Sequence, residues 1–176
     1  MIALIVIDML NPYDHEDAEI LVQNVEPIVP ALAELVREAS DSDVELVYVN
    51  DNYGDYAATR HDLVRRACEG RRPDLIDPIV PPDDIAFLHK VRHSAFYSTV
   101  LDHMLRQKSI RNIVLAGHVT EQCILYTALD AYVRHFNIRV ARDAVAHIDY
   151  ELGQAALRMM ERNMHVELVD GAASLR

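Results

Sequence analysis

Three residues whose side chains could act together chemically each follow a run of apolar residues. Asp8 comes directly after the first run, Lys90 follows the third, and Cys123 follows the fourth. A carboxylate at the end of a buried strand is partly desolvated, which raises its pKa and suits it to proton transfer. A lysine facing that carboxylate would hold both groups in their charged forms. Together with a cysteine nucleophile, these residue types predict an active site.

The segment around Cys123 has the features of a helix start. Thr120 is the predicted N-cap, which puts Cys123 in the first helical turn. There the free N–H groups and the helix dipole favour the thiolate over the thiol, and they could also donate to an oxyanion. Cys68 lies in the middle of a predicted helix without such a signal, and we interpret it as a small buried hydrophobic residue.

Each candidate also has an ordinary structural explanation. Asp8 could cap a turn, Lys90 could be a solvated charge, and Cys123 could be a buried apolar residue. The combination of a carboxylate, a lysine and a cysteine after three different strands is much less probable by chance than any one of them. The joint occurrence therefore favours catalysis.

Six apolar runs alternate with segments of helical periodicity. The runs are Ile2–Ile7 and residues 44–49, 85–88, 113–116, 138–141 and 166–169, and the helical segments are residues 25–39, 56–69, 99–107, 121–135 and 151–163. Short runs rich in Val, Ile and Leu are typical of strands covered on both faces. The alternation predicts an α/β fold of three layers, in which helices cover both faces of a central, mainly parallel six-stranded sheet. Such sheets bind ligands at the carboxyl ends of their strands, where the three candidates fall.

The chain carries no repeat, low-complexity tract or convincing linker, so we predict one domain over residues 1–176. The proline-rich residues 73–82 are interpreted as a long ordered connection. The two cysteines cannot form a disulfide framework, and in a reducing compartment both would be free thiols. With no basic segment before the first apolar run, we expect a cytoplasmic protein.

Composition and charge exclude several classes of function. The chain has 17 Lys and Arg against 28 Asp and Glu, a net charge of −11, which argues against nucleic acid or an anionic membrane as a partner. Only five glycines are present, and they form neither a dinucleotide fingerprint nor a P-loop. No stretch approaches the ~20 apolar residues of a membrane span. A small molecule is the expected partner.

Four segments carry a resemblance to a known family. They are Ile-Val-Ile-Asp-Met at 5–9, Tyr-Val-Asn-Asp-Asn-Tyr-Gly at 48–54, Lys-Val-Arg-His-Ser-Ala-Phe at 90–96, and Leu-Ala-Gly-His-Val-Thr-Glu-Gln-Cys at 115–123. At these positions the sequence resembles the isochorismatase-like cysteine hydrolase superfamily, and the resemblance covers essentially the whole chain. This superfamily, with its Rossmann-like fold, includes nicotinamidases, N-carbamoylsarcosine amidohydrolases, ureidoacrylate-type amidohydrolases and isochorismatases.

The resemblance implies an Asp8–Lys90–Cys123 triad and a cis peptide bond between His118 and Val119. It also implies that the backbone N–H groups of Val119 and Cys123 form an oxyanion hole. In the implied reaction, Asp8 takes the thiol proton, Lys90 stabilises the charges, and Cys123 attacks an amide-type carbonyl. Loss of ammonia or an amine leaves a thioester, which water activated by Asp8 hydrolyses. No redox or organic cofactor is required.

The sequence departs from the nicotinamidase pattern after the second strand. Nicotinamidases resemble one another in an Asp-x-His metal motif there, whereas here Asp51 is followed by Asn52 and Tyr53. We therefore predict no catalytic metal. Four histidines, His61, His89, His93 and His118, lack a clear ligand spacing and are interpreted as surface residues or residues behind the site.

Alternatives to amide hydrolysis stay open. Isochorismatases proper cleave a vinyl ether without a cysteine nucleophile, so Cys123 favours cleavage of a C–N bond. A catalytically silent binding module on the same fold is a second alternative. A redox sensor that pairs Cys123 with Cys68 is the weakest, because it needs the two Cα atoms within ~7 Å.

Two further sets of residues are candidates for contacts. A small planar substrate suits a pocket wall of apolar, amide and hydroxyl groups, for which the candidates are Asn11, Tyr13, Asn52, Tyr53, Phe96 and Tyr126. Each of these could equally be core or loop packing. A stripe at helical spacing, formed by Tyr126, Leu129, Tyr132 and Val133, is either core or a subunit contact. Family members commonly form dimers or tetramers, which implies a homo-oligomer.

Overall fold

Six strands form one sheet in the order β3-β2-β1-β4-β5-β6, and every neighbouring pair is parallel. The computed structural model describes residues 1–176. The strands are β1 (Ile2–Ile7), β2 (Glu45–Asp51), β3 (Ala86–Lys90), β4 (Asn112–His118), β5 (Asn137–Ala146) and β6 (Glu167–Val169). The predicted α/β fold is confirmed, and the sheet is entirely parallel.

Helices cover both faces of this sheet. They are α1 (Ala18–Val25), α2 (Val29–Ser40), α3 (Arg60–Cys68), α4 (Pro73–Ile76), α5 (Leu101–Gln107), α6 (Leu125–Val133) and α7 (Tyr150–Met164). Alternate residues of β1 point to opposite faces, so Leu4 and Val6 pack with α1 and α2 while Ile5 and Ile7 pack with α5, α6 and α7. None of these helices has the length and apolar character needed to cross a bilayer.

The boundaries differ from the predicted ones mainly around prolines and at strand ends. The single helix predicted over residues 25–39 is α2 alone, because a 3₁₀ turn at Glu26–Ile28 that contains Pro27 separates it from α1, which the periodicity missed. Proline is tolerated in a first helical turn but not inside a helix. Residues 73–82 include α4 and a further 3₁₀ turn, so this connection is ordered.

The strand order reverses between β1 and β4, and the two strands approach closely there. Gly117 near the end of β4 has φ +111°, and a Cβ atom at this position would lie 2.2 Å from the carbonyl oxygen of Ile7. Only glycine fits both the backbone angle and the space. This crevice at the carboxyl ends of the strands is where α/β sheets of this type hold ligands.

Substitution of Gly117 tests this close approach. Gly117→Ala is expected to lower the free energy of unfolding by about 4 kcal/mol or more, because the new methyl group meets backbone that cannot move aside. Gly54→Ala is the matched control, since Gly54 also has a positive φ, +80°, but nothing within 4 Å of its would-be Cβ. The control should cost only about 1–2 kcal/mol. Urea unfolding measures both, and equal costs would contradict the steric argument.

Candidate active site

The carboxyl edge of the sheet brings Asp8, Lys90 and Cys123 together. Asp8 follows β1 directly, Lys90 is the last residue of β3, and Cys123 lies in the turn after β4. The Nζ atom of Lys90 is 2.8 Å from Oδ2 of Asp8 and 3.6 Å from Sγ of Cys123. Asp8 is also close enough to Cys123 for its charge to raise the pKa of the thiol. The three residues therefore form one cluster around the sulfur.

Asp51, at the end of β2, completes this cluster. Because β2 lies between β1 and β3, the Lys90 side chain must extend past Asp51 to reach Asp8. The Asp51 carboxylate is 3.4 Å from Nζ of Lys90, and the Asp51 backbone N–H donates to Oδ1 of Asp8 over 2.8 Å. From the sequence, Asp51 is considered only as the first residue of an Asp-x-His metal motif that is not completed here.

Burial and charge set the protonation states in the cluster. Burial raises the pKa of Asp8, although the ammonium of Lys90 opposes the shift. Burial works against the charged ammonium of Lys90, but attraction by the carboxylates of Asp8 and Asp51 outweighs it and the pKa of Lys90 is raised. Lys90 is therefore a permanent cation in the site.

The surroundings of Cys123 favour the thiol over the thiolate, contrary to the preference predicted from its position in the sequence. Burial raises the pKa of Cys123 strongly, and the negative charge of Asp8 raises it further. Attraction by Lys90 and a hydrogen bond from the Val119 N–H lower it by less. The helix dipole was the wrong basis for the prediction, because desolvation and a neighbouring carboxylate dominate here.

The turn that carries Cys123 also differs from the predicted N-cap. Residues Thr120–Ile124 form a π-helical turn, in which the Ile124 N–H donates to the Val119 carbonyl over 3.1 Å. Val119, not Thr120, is the N-cap, and the Thr120 hydroxyl is buried without a partner. The prediction from residue type fails because the preceding strand, not a side-chain cap, determines how this turn begins.

One backbone N–H group, that of Val119, lies close to the sulfur. The peptide bond between His118 and Val119 is cis, where the resemblance places such a bond. The Val119 N–H donates to no backbone carbonyl and instead points at Sγ of Cys123.

Four of the six predicted pocket residues lie in turns or in the core, and two lie nearer to the cluster. Asn11 and Asn52 are buried and accept from the N–H groups of Tyr13 and Gly54, which stabilises their own turns. Tyr13 and Phe96 pack in the cores on opposite faces of the sheet. These four side chains therefore make contacts within their own turns or within the two cores.

Tyr53 and Tyr126 lie nearer to the cluster. Burial raises the pKa of the Tyr53 hydroxyl, the charge of Asp8 raises it further, and this hydroxyl donates to the Leu10 carbonyl over 2.9 Å. Tyr126 is exposed, and its ring lies 5.3 Å from that of His93.

His93 is a residue of the site that the sequence interpretation missed. Its Nδ1 atom is 3.9 Å from Sγ of Cys123, and the residue as a whole is exposed to solvent. The available signal was its place in segment 90–96, directly after Lys90. His118, by contrast, is buried, and burial lowers its pKa to about 3, so it stays neutral.

Comparison with known proteins identifies the family. The isochorismatase domain model matches residues 2–173. The chain belongs to the isochorismatase family. It is 34% identical over 166 residues to a Bacillus subtilis (strain 168) relative named as the uncharacterized isochorismatase family protein YaaI, an alignment that covers 94% of this chain and 92% of YaaI.

Solved structures that resemble this chain agree with the family assignment. The N-carbamoylsarcosine amidase from Thermoplasma acidophilum matches with a TM-score of 0.76 and 28% identity, over 96% of this chain and 95% of that one. A pyrazinamidase/nicotinamidase from Streptococcus mutans UA159 matches with a TM-score of 0.76 and 26% identity, over 96% of this chain and all of that one.

The residues of this isochorismatase-family chain do not fit the metal of the nicotinamidase pattern. Oδ2 of Asp51 faces Lys90, and Oδ1 of Asp51 accepts from the Tyr53 N–H over 2.8 Å. No group of three or more His, Cys, Asp or Glu side chains is arranged to hold a metal ion.

The protonated thiol predicts how Cys123 responds to alkylation. In a Cys68→Ala background, the rate of reaction with iodoacetamide should still be rising at pH 9, because the pKa of Cys123 lies above the usual range. Asp8→Asn should speed alkylation at pH 8 by up to about tenfold, since it removes a negative charge that raises this pKa. A rate that levels off below pH 7 would contradict the assigned thiol.

Proposed function

We propose that this isochorismatase-family protein is a cysteine-dependent hydrolase of a small amide, carbamoyl or ureido compound. The observation that supports the proposal is the contact of the Cys123 thiol with both Asp8 and Lys90 in one buried cluster. The similar proteins include a nicotinamidase and an N-carbamoylsarcosine amidase, both of which by name act on C–N bonds. The proposed hydrolase is a single domain over residues 1–176.

In the proposed reaction Asp8 accepts the thiol proton while Sγ of Cys123 attacks the carbonyl carbon. The negative charge moves to the carbonyl oxygen, which accepts from the N–H groups of Val119 and Cys123. The ammonium of Lys90 offsets this charge in a site of low dielectric. The C–N bond then breaks, the amine leaves, and water hydrolyses the thioester to the free acid. No step needs a redox or organic cofactor.

Cleavage of a vinyl ether is the alternative reaction on this fold. It requires no sulfur nucleophile, whereas here the thiol is held between a base and a cation. A binding module without catalytic activity would not need a thiol between a base and a cation either. A redox pair with Cys68 is disfavoured, because Cys68 and Cys123 pack against opposite faces of the sheet.

The proposal is tested by ammonia release from nicotinamide, benzamide, N-carbamoylglycine and 3-ureidopropionate. Cys123→Ala should reduce turnover of the best substrate by at least about 10³-fold, because the thioester can no longer form. Cys68→Ala, the matched control, should keep turnover within about twofold, since Cys68 takes no part in the cluster. Full activity of Cys123→Ala would contradict the nucleophile, and silence of the wild type would contradict the substrate class.

Substrate contacts are proposed for the six candidates Asn11, Tyr13, Asn52, Tyr53, Phe96 and Tyr126. Tyr53 and Tyr126 have the strongest support, because one lies near Asp8 and the other packs on His93. We also propose a cytoplasmic location, where both free cysteines would stay reduced.

A homo-oligomer, a dimer or tetramer, is proposed from the stripe on α6. Tyr126, Leu129, Tyr132 and Val133 are 45%, 46%, 39% and 58% exposed, so the alternative of a core stripe is wrong. A second copy of the chain would cover this apolar face. Light scattering should give a multiple of the 20.0 kDa chain mass. Leu129→Glu should reduce the mass, whereas Ile20→Glu, an exposed control on α1, should not; a monomeric wild type would contradict the proposal.

A further inference from the structure

The sulfur of Cys123 has an inner and an outer side that differ in their access to solvent. On the inner side lie Asp8 and Lys90, whose side chains are 9% and 1% exposed. On the outer side lies the exposed imidazole of His93, with Nδ1 3.9 Å from Sγ. Its ring is supported by Tyr126 at 5.3 Å between ring centres, with the planes tilted by 35°.

The inner carboxylate is poorly placed to exchange protons with water. Oδ1 of Asp8 accepts from the Asp51 N–H and Oδ2 faces Lys90, while the Cys123 thiol lies close enough for the charge of Asp8 to raise its pKa. These contacts suit Asp8 to move one proton to and from the sulfur. The other proton transfers of an amide hydrolysis occur at the leaving nitrogen and at the attacking water.

The position of His93 suits those transfers. In the tetrahedral intermediate, the leaving nitrogen and the sulfur are bonded to the same carbon. A side chain that contacts Sγ is therefore also close to this nitrogen. Of the side chains that contact Sγ, His93 is the one open to solvent. Imidazole is also the group that most often serves as a general acid and base in enzymes.

Resting on the proposed amidase function, we propose that His93 is a catalytic residue that protonates the leaving nitrogen and then takes the proton of the hydrolytic water. This divides between two groups the proton transfers that the family resemblance would give to Asp8 alone.

The proton count of this cycle closes. Asp8 takes the proton of the thiol as the S–C bond forms, and the imidazolium of His93 gives its proton to nitrogen as the C–N bond breaks. Water then adds to the thioester carbon and gives one proton to His93, which becomes imidazolium again. The C–S bond breaks, the sulfur takes its proton back from Asp8, and the acid leaves.

The test compares a leaving group that needs a proton with one that does not. His93→Phe keeps a ring against Tyr126 but carries no proton, and it should lower ammonia release from the best amide by about 10²–10⁴-fold. Release of p-nitrophenol from p-nitrophenyl acetate, with enzyme in excess over the ester, reports acylation of Cys123 alone. This rate should stay within about threefold of wild type, because p-nitrophenolate leaves without a proton.

Three controls separate the possible outcomes. His93→Gln can hydrogen-bond but cannot act as an acid or base, so it should behave as His93→Phe does. Recovery of amide turnover in His93→Gln would reduce His93 to a hydrogen-bonding role and overturn the proposal. His61→Phe, at an exposed histidine of α3, should leave both rates unchanged. Cys123→Ala should lose both.

Each remaining outcome contradicts one specific claim. Amide turnover retained in His93→Phe, with Cys123→Ala inactive, would overturn the role of His93 alone. Equal loss of ester acylation and amide turnover in His93→Phe would also overturn it, since His93 would then act on the thiol. Full activity of Cys123→Ala, or a wild type that acylates with the ester but cleaves no amide, would overturn the amidase proposal first and the role of His93 with it.

Discussion

The buried ion pair between Lys90 and Asp8 is the interaction on which the rest of the site depends. Transfer of an ion from water to a protein interior costs several kcal/mol, so two buried charges persist only when they meet closely and have further hydrogen bonds. Here the distance is 2.8 Å, and Asp51 supplies both a backbone N–H to Asp8 and a carboxylate to Lys90. Such a pair is weak evidence for stability, but it fixes the ends of β1, β2 and β3 relative to one another.

The ion pair also explains why the neighbouring sulfur is protonated. The carboxylates of Asp8 and Asp51 already share the single ammonium of Lys90, so a thiolate beside them would add a further uncompensated negative charge in a desolvated site. In the proposed reaction that charge appears only when a substrate is present to receive it, because the oxyanion forms as the thiol proton moves to Asp8. The N–H of Val119 is already directed at this region, so little reorganisation is required.

The sequence predicted the sheet well because strands covered on both faces are continuous apolar runs, and all six were found. It also found Asp8, Lys90 and Cys123, because strand ends are visible in the same pattern. Properties that depend on neighbours distant in the chain were not predictable. The protonated thiol depends on burial and on Asp8, the π-helical turn depends on how β4 ends, and the contact of His93 with Cys123 depends on how the chain folds after β3.

In the proposed reaction, substrate choice depends on the outer side of the sulfur rather than on the ion pair. The inner cluster acts on the carbonyl group, which all amide, carbamoyl and ureido compounds share. Asp51, where the nicotinamidase pattern begins its metal motif, is already engaged by Lys90 and the Tyr53 N–H, so it has no free oxygen to orient a substrate. The remaining polar and aromatic groups near the site belong to Tyr53, His93 and Tyr126, and all three residues are exposed. The proposed reaction therefore selects a compound at the outer side of the sulfur, by its ring or leaving group, while the buried charges act on its carbonyl group.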